Sequence, residues 1–248
     1  MTRFESMYKA YAHNYTTDRY NTPKYKLMEG WYDAYLKDND TEQRIPKIIH
    51  LVWVGYTDIP HEYQTYMNTW MNDGWEVMYW NDYNLPDLND SVYDRMKNNG
   101  AKSDYIRYQA LYDYGGLYVD TDFEMLKPHD GFLHLNFFTS VADNPTPCLY
   151  IGHLGSTPKH KILKSCLDNI YSFNDSSYDN IMRTTGVYYF TDRFFESVNN
   201  DYEKIVVFPP EYFYPFPGNQ RKIKDRRHRL SFCSDNTHAI HHWGTSWT

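Results

Sequence analysis

Residues 103–122 read SDYIRYQALYDYGGLYVDTD, and this stretch indicates the fold class. Apolar residues recur four positions apart in its first half, which predicts a helix with one buried face. Ser103 suits the cap that begins this helix, and Gly115-Gly116 suits its end. The next residues, 117–121 (LYVDT), predict a strand. A helix that leads directly into a strand is typical of an α/β domain.

The chain before this stretch repeats the same alternation. Residues 47–54 (KIIHLVWV) are apolar and β-branched, which predicts a buried strand, and residues 75–80 (WEVMYW) predict a second one. Helices are predicted for residues 62–71 and 91–99, and the second of them closes at Gly100. Alternating strands and helices predict an α/β domain with a largely parallel central sheet.

The two ends of the chain differ in character. Residues 1–44 are polar and rich in tyrosine with helical spacing, so we expect a helical N-terminal extension followed by the α/β domain in residues 45–248. In the second half, the patterns predict strands near residues 133–141 and 204–208, helices near 159–171 and 186–198, and a short strand with a turn at 239–247.

The net charge of the chain argues against one class of ligand, nucleic acid. A formal net charge of −7 argues against broad nucleic-acid binding, which needs a basic surface. The basic run at residues 221–229 (RKIKDRRHR) is either a solvated loop or a contact to phosphate or an anionic membrane surface, so peripheral membrane contact stays open. No apolar run approaches the length of a transmembrane segment. Three cysteines without metal spacing, and no apolar stretch after Met1, favour a cytoplasmic protein.

Asp120 and Asp122 are the strongest candidates for a functional site. In an extended chain, residues two apart point to the same side, so both carboxylates would aim at one spot at the carboxyl end of the strand. Open α/β sheets bind ligands at that edge. Two carboxylates so close need a cation between them or a proton on one of them. Such oxygen ligands suit Mg²⁺ or Mn²⁺, and these ions commonly complete their coordination with phosphate oxygens of the substrate. The alternative is a solvated surface turn.

Asp104 and Arg107 lie three residues apart and share a helix face. In the first turns of the predicted helix they would lie at the ligand edge of the sheet, where a carboxylate and a guanidinium can grip sugar hydroxyls. The alternative is a surface ion pair of small energetic value. Glu124, Glu196 and Glu211 are further acids, and the sequence selects none of them.

Residues 241–247 (HHWGTSW) hold a third candidate group. A neutral imidazole can complete a metal site built on carboxylates, and Ser246 and the indole of Trp247 are donors suited to phosphate oxygens. The alternative is a tail that packs its tryptophans on the core. Trp53, at the end of the first strand, is placed to stack on a base, and Trp80 is a weaker candidate for that role.

Three blocks carry a family resemblance: residues 45–55 (IPKIIHLVWVG), residues 102–108 (KSDYIRY) running into 115–122 (GGLYVDTD), and residues 241–247 (HHWGTSW). In this order they resemble the glycosyltransferase family numbered thirty-two. These are DXD-containing enzymes related to initiating mannosyltransferases, lactosylceramide galactosyltransferases and capsular polysaccharide glycosyltransferases. The glucosylating domain of clostridial toxins is a more distant likeness. The first 44 residues lie outside the resemblance.

The resemblance implies a GT-A fold, a single Rossmann-like nucleotide-sugar-binding domain whose central sheet is mixed and mainly parallel. It implies transfer of a sugar from a nucleotide-sugar donor to a glycan or other hydroxyl acceptor, as in polysaccharide biosynthesis. It also implies Mn²⁺ or Mg²⁺ as cofactor and retention of anomeric configuration. Members of the family differ in their donor, and we favour a UDP-sugar over a GDP-sugar. Because the sequence nominates no protein nucleophile, front-face attack by the acceptor is the favoured mechanism.

The resemblance also implies roles for individual residues. The residues expected to contact the nucleotide sugar are Trp53 and Val54 for the base, Tyr118 for the nucleotide, Asp120 for the ribose and the sugar, Asp104 and Arg107 for the sugar, and Ser246 and Trp247 for the diphosphate. The residues expected to bind the metal are Asp120, Asp122 and a histidine of the last block. His241 stands where the family usually has this histidine, and His242 is the fallback. No acceptor residue is assigned.

Two other classes of function are alternatives. A metal-dependent phosphohydrolase or nuclease would use Asp120, Asp122 and the histidines, but such sites usually hold two metals and need more ligands than the sequence offers. A non-catalytic carbohydrate-binding module would explain the aromatic content of 19%. Phosphodiester hydrolysis without sugar specificity would favour the first, and glycan binding that survives EDTA would favour the second.

Overall fold

A six-stranded sheet with helices packed against it forms the centre of the molecule, which confirms the predicted α/β class. The structure is a computed structural model, and it describes residues 2–11, 21–55, 57–71, 74–141, 148–171, 177–199 and 202–244.

The elements have the following bounds. The strands are β1 (Ile48–Val52), β2 (Glu76–Trp80), β3 (Gly116–Val119), β4 (Phe123–Met125), β5 (Phe137–Ser140), β6 (His153–Ser156), β7 (Ile205–Phe208) and β8 (Ala239–His241). The helices are α1 (Arg3–Tyr11), α2 (Pro23–Tyr35), α3 (His61–Asn68), α4 (Asp90–Tyr93), α5 (Asn99–Tyr114), α6 (Lys161–Asp168), α7 (Tyr178–Thr184), α8 (Val187–Ser197) and α9 (Arg226–Leu230). Short 3₁₀ turns cover Asp130–Phe132, Pro210–Tyr212 and Gly218–Gln220.

The central sheet is mixed, with the strand order β2-β1-β3-β6-β5-β7. Strand β1 is parallel to both β2 and β3, and β5 is parallel to β7, whereas β6 runs antiparallel to β3 and β5. The sheet is therefore mixed and mainly parallel, as expected. The carboxyl ends of β1, β2 and β3 meet at one edge, where open α/β sheets bind their ligands. A separate antiparallel ribbon pairs β4 with β8.

The two N-terminal helices share the hydrophobic core of the sheet. Helix α2 packs along β7, and its Trp31 meets Phe194 of α8 edge-on, with ring centroids 5.9 Å apart. The hydroxyl of Tyr32 lies 2.9 Å from that of Tyr212, in hydrogen-bonding contact. Phe4 of α1 is fully buried in the same core. The helices thus cover apolar surface of the sheet, and a domain boundary at residue 44 stays a prediction.

The predicted start of the central helix is wrong. Helix α5 begins at Asn99 instead of after Ser103, because the Asn98 side chain accepts a bond from the N–H of Gly100 (2.7 Å) and caps the helix a turn earlier. Gly100 therefore lies inside α5, and the helix predicted for residues 91–99 shrinks to α4. Asp104 consequently lies beyond the first turn of its helix. The predicted stop at Gly115-Gly116 is confirmed, since both glycines have positive φ.

The Asp-Thr-Asp motif lies in a turn, not in the strand predicted for residues 117–121. Strand β3 ends at Val119, and the N–H of Phe123 donates to the carbonyl of Asp120 (3.0 Å), which closes the turn. The two carboxylates are therefore brought together by a turn instead of by the alternation of an extended strand.

The basic run at residues 221–229 is not a uniform solvated loop. Its second half enters α9, whose Arg229 is buried and donates from Nε to the carbonyl of Ile223 (2.8 Å). Arg226 pairs with the buried carboxylate of Glu124. Arg226 and Arg229 thus contact residues on or next to the β4–β8 ribbon, and residues 221–227 of the run are exposed.

Cys148, Cys166 and Cys233 are free thiols. Within the described residues, no helix combines the length and apolar character needed to cross a bilayer.

Candidate active site

The β4–β8 ribbon brings the C-terminal histidines to the Asp-Thr-Asp turn. Strand β4 begins directly after Asp122, and its Phe123 pairs with His241, the last residue of β8. The main-chain N–H of His242 donates to the carbonyl of Asp122 (3.0 Å). Side chains 119 positions apart in the sequence are thereby fixed beside each other.

Asp122 and His241 form the buried part of the site. The Nε2 atom of His241 lies 3.1 Å from the Asp122 carboxylate, and the main-chain N–H of Gly244 donates to Oδ2 of Asp122 at 2.5 Å. The Phe123 ring stacks on the imidazole, with centroids 4.6 Å apart. Burial raises the pKa of Asp122, but the interaction with His241 and the bond from Gly244 outweigh it and bring the pKa below its ordinary value. Asp122 is therefore ionised at neutral pH.

Asp120 is the more open carboxylate, with a side chain that is 29% exposed. The hydroxyl of Tyr118 donates to its Oδ1 (2.6 Å), and Nη1 of Arg107 lies 3.3 Å from the same oxygen. Gly152 leaves room for the other oxygen, since a Cβ at that position would lie 2.5 Å from Oδ2 of Asp120. Oδ1 is thus held by the protein and Oδ2 faces a space that only glycine provides.

Asp120, Asp122 and His241 fit a divalent cation. One ligand atom from each of the three lies within 4.8 Å of the others. Two carboxylate oxygens and one imidazole nitrogen form a donor set that suits Mn²⁺ or Mg²⁺, whose remaining positions are commonly taken by phosphate or water.

Asp104 and Arg107 form a buried ion pair, so the interpretation as a surface pair is wrong. Nη2 of Arg107 lies 2.9 Å from Oδ1 of Asp104, and the two side chains are 7% and 6% exposed. Thr185 donates to the other oxygen of Asp104 (2.8 Å), while Nη1 of Arg107 donates to the carbonyl of Ile151 (2.9 Å). The guanidinium lies over the Tyr118 ring, 4.3 Å from its centroid. Burial raises the pKa of Asp104 to about 6, against the opposing effects of Arg107 and Thr185.

A cavity of about 810 Å³ connects these groups. Apart from the fallback His242, its lining includes every described residue to which the sequence resemblance assigned a role: Trp53, Val54, Asp104, Arg107, Tyr118, Asp120, Asp122 and His241. The Trp53 indole donates to the carbonyl of Thr57 (2.7 Å), which fixes its ring at the cavity wall. Ser246 and Trp247 lie outside the described residues.

Trp80, the weaker candidate for stacking on a base, is a core residue. It is buried, and its indole N–H donates to Nδ1 of His50 (3.0 Å), whose Nε2 donates to the carbonyl of Gly115 (2.8 Å). Burial lowers the pKa of His50 to about 4, which keeps the imidazole neutral. The sequence does not reveal that this histidine joins β1 to β2 and to the end of α5.

His242 turns away from the carboxylate cluster. Nη1 of Arg229 donates to its Nδ1 (2.8 Å), so its Nε2 carries the hydrogen and donates to Glu124 (3.0 Å). His241 is therefore the histidine that faces Asp122. The three glutamates considered as acids are all described, and none lines the cavity: Glu124, Glu196 and Glu211.

Comparisons with known proteins identify the family of this chain. A family model described as the glycosyltransferase sugar-binding region containing a DXD motif matches residues 60–138. An uncharacterised glycosyltransferase of Acanthamoeba polyphaga mimivirus is 30% identical over 186 residues, which cover 69% of this chain and 73% of the relative. The chain belongs to the DXD-containing glycosyltransferases. It is therefore a transferase enzyme, and membership favours sugar transfer over a phosphohydrolase, a nuclease or a non-catalytic carbohydrate-binding module.

This glycosyltransferase is also similar to inositol phosphoceramide mannosyltransferase 1 of Schizosaccharomyces pombe, with 26% identity over 186 residues. The match covers 67% of the chain but only 56% of that relative. The family model includes Asp104, Arg107 and the Asp-Thr-Asp turn. Trp53 and His241 lie outside the matched residues, and the individual roles of all these side chains stay predictions.

Two solved structures are distant likenesses. The PaToxG glycosyltransferase has a TM-score of 0.48 and 14% identity, covering 71% of this chain and 80% of its own. A glycosyltransferase involved in the glycosylation of the major capsid of PBCV-1 has a TM-score of 0.48 and 12% identity, covering 81% and 95%. The GT-A assignment of this DXD glycosyltransferase follows from its family together with its mixed, mainly parallel sheet.

Proposed function

We propose that the chain is a retaining, Mn²⁺-dependent glycosyltransferase that moves a sugar from a UDP-sugar to a hydroxyl of a glycan or another acceptor. The observation that carries the proposal is the meeting of Asp120, Asp122 and His241 in one cavity with Trp53. GDP-sugars and Mg²⁺ are the alternatives for donor and metal. A cytoplasmic location and a part in polysaccharide biosynthesis stay predictions.

In this proposal, different residues of the cavity bind different parts of the donor. Trp53 and Val54 take the base, and Asp104 and Arg107 take the sugar. Arg107 already contacts two carboxylates, so the pair offers oriented hydrogen-bonding groups to hydroxyls without a large net charge. When bound, a divalent cation would offset the negative charge that grows on the diphosphate as the glycosidic bond breaks. Asp122, kept ionised by its neighbours, would hold that cation.

For a retaining transfer, the acids of the cavity favour front-face attack over double displacement. Among its described lining residues, the carboxylates are Asp104, Asp120 and Asp122, and each already has a partner or a ligand role. None is left to act as the nucleophile of a double displacement. In the proposed step, the acceptor oxygen bonds to the anomeric carbon while the bond to the diphosphate breaks. The electron pair goes to the diphosphate oxygen, which also receives the acceptor's proton.

The named relatives widen the set of substrates to test. Two similar proteins of Schizosaccharomyces pombe are named inositol phosphoceramide mannosyltransferases. A mannose donor and a phosphate-bearing lipid acceptor are therefore included beside UDP-sugars and glycans.

A screen of UDP- and GDP-sugars for donor hydrolysis tests the proposal. We expect slow hydrolysis of one donor with Mn²⁺, loss of that activity in EDTA, and a fall of at least about 100-fold in Asp122→Asn, because fixed charge stabilisation of this kind is worth that much. Asp87→Asn removes an exposed carboxylate outside the cavity and is the matched control. Full activity in EDTA would refute the metal dependence, and a freshly released sugar of inverted configuration, seen by NMR, would refute retention.

A further inference from the structure

The cavity contains two arginines in different surroundings. Arg107 is committed to the carboxylates of Asp104 and Asp120 and to the carbonyl of Ile151. Arg221 also lines the cavity, is exposed, and has no acceptor for its guanidinium among the residues that the structure describes. Of the described arginine and lysine side chains in the lining, Arg221 is therefore the one that remains available to an anion.

The 3₁₀ turn Gly218–Gln220, which precedes Arg221, packs on Trp243, and Arg221 lines the same cavity as His241. The N–H of Arg221 donates to the carbonyl of Gly218 (3.2 Å). A Cβ on Gly218 would lie 3.3 Å from the indole of Trp243, whose ring centroid is 4.3 Å from that of His241. The turn thus rests on the tryptophan that follows the histidines, and a long side chain leaving it borders the same cavity.

The charged groups considered so far do not balance the negative charge of a donor diphosphate. The carboxylates of Asp120 and Asp122 together balance one divalent ion, and Asp104 balances Arg107. The diphosphate of a nucleotide sugar would therefore enter with its negative charge uncompensated, and that charge increases as the bond breaks. A guanidinium matches phosphate oxygens with two parallel hydrogen bonds.

We propose that Arg221 binds the diphosphate of the donor and supplies the second positive charge for the leaving group. The proposal rests on the proposed function, since it takes the ligand to be a nucleotide sugar. It also assigns a role to the start of the basic run at residues 221–229. That role differs from those of Arg226 and Arg229, which bind Glu124 and His242.

Calorimetric titration with UDP, GDP and the matching nucleosides in the presence of Mn²⁺ tests the role of Arg221. We expect Arg221→Gln to weaken binding of the preferred nucleoside diphosphate about tenfold, the usual value of a hydrogen-bonded charge pair, and to leave the nucleoside unchanged. The loss should shrink at high salt, because ions screen an exposed pair. Arg227→Gln removes the same charge from the same run outside the cavity, and we expect no change.

The outcomes separate this proposal from the function on which it rests. Equal affinities of wild type and Arg221→Gln, or an equal loss in Arg227→Gln, would overturn the role of Arg221 alone. A wild-type chain that binds no nucleoside diphosphate would overturn the proposed function and this proposal with it. Because a phosphate-bearing acceptor offers the same oxygens, binding is measured without acceptor. A defect confined to the KM of such an acceptor would also overturn the assignment to the donor.

Discussion

The three aspartates of the cavity differ in how burial and neighbouring groups affect their charge. Asp122 is nearly enclosed, yet His241 and a main-chain N–H keep its carboxylate ionised. Asp104, equally buried, has a pKa raised to about 6 because burial outweighs its partners. Asp120 is the open member, and one oxygen of it faces Gly152. The site thus depends on what surrounds each carboxylate as much as on the carboxylates themselves.

Gly152→Ala should disturb the active site more than the fold. The new methyl group would lie 2.5 Å from Oδ2 of Asp120, a terminal atom that can rotate away, so we expect the carboxylate to move. Donor hydrolysis should fall about tenfold or more, since small displacements of positioned groups cost that much. The melting temperature should change by only a few degrees, which corresponds to about 1 kcal/mol.

Gly131→Ala is the control for this substitution, because a Cβ at Gly131 would meet no atom within 4 Å. If Gly152→Ala retained full activity and Mn²⁺ dependence, the position of Asp120 would not matter as we describe.

The same residues show how far sequence reasoning reaches. Asp120 and Asp122 are identifiable from the motif alone, although the turn that aims them was expected to be a strand. The family resemblance favours His241 over His242, whereas the bonds of His242 to Arg229 and Glu124 are tertiary contacts that no local pattern encodes. Gly152 and Thr185 carry no motif, and their contacts with Asp120 and Asp104 become visible only in the folded chain.

At the scale of elements, length and locality separate the correct predictions from the missed ones. Strand β1 and helix α8 are apolar or periodic over enough residues to be recognised. Strands β4 and β6 and helix α7 are short and have little pattern. The β4–β8 pairing, which brings His241 to Asp122, joins segments more than a hundred residues apart, so turn chemistry cannot indicate it.

The histidine that joins β1, β2 and the end of α5 should make stability depend on pH. The pKa of His50 is about 4 in the folded chain, against an ordinary value of 6.5. Between these values the unfolded chain binds a proton that the folded chain does not. The free energy of unfolding therefore decreases as pH falls from about 6.5 to about 4, by up to about 3 kcal/mol from this residue, and is fully retained above that range.

His50→Asn should remove this part of the pH dependence. At pH 7 we expect the variant to unfold about 2–4 kcal/mol more easily, because the indole of Trp80 and the carbonyl of Gly115 lose their partner. The gap between variant and wild type should narrow towards pH 4 in urea unfolding curves. His61→Asn, at an exposed histidine without these bonds, is the control. A gap of constant size at every pH would contradict the neutral, buried imidazole.

At the scale of the whole molecule, the N-terminal helices belong to the core on which the site rests. Trp31 and Tyr32 are buried against α8, β7 and the turn at Pro210–Tyr212. The sequence indicates that residues 1–44 contain helices. It cannot show what those helices cover, because an apolar helix face does not reveal which surface of the folded chain it packs against. The division of the chain into an extension and a domain at residue 44 therefore stays a prediction, and the packing shows only that α1 and α2 join the core.

A variant that starts at residue 45 should fail to form a stable protein. It would expose the apolar surface that α1 and α2 cover, and we expect aggregation or loss of cooperative unfolding in circular dichroism. Trp31→Ala is the milder test and should cost about 3–5 kcal/mol, as for other buried tryptophans. Leu36→Ala, at an exposed position just after α2, should stay within about 0.5 kcal/mol. A truncated chain that unfolds cooperatively and still binds nucleotide would refute this view.

Titration of Mn²⁺ followed by electron paramagnetic resonance tests the central claim most directly, because it measures binding apart from turnover. We expect one Mn²⁺ per chain in the presence of the preferred nucleoside diphosphate. Asp122→Asn and His241→Gln should each weaken its binding by about tenfold or more, whereas Asp87→Asn should not, since each lost ligand removes a coordination bond to the ion. Unchanged Mn²⁺ affinity in both site variants would contradict the convergence of the two distant segments on one cation.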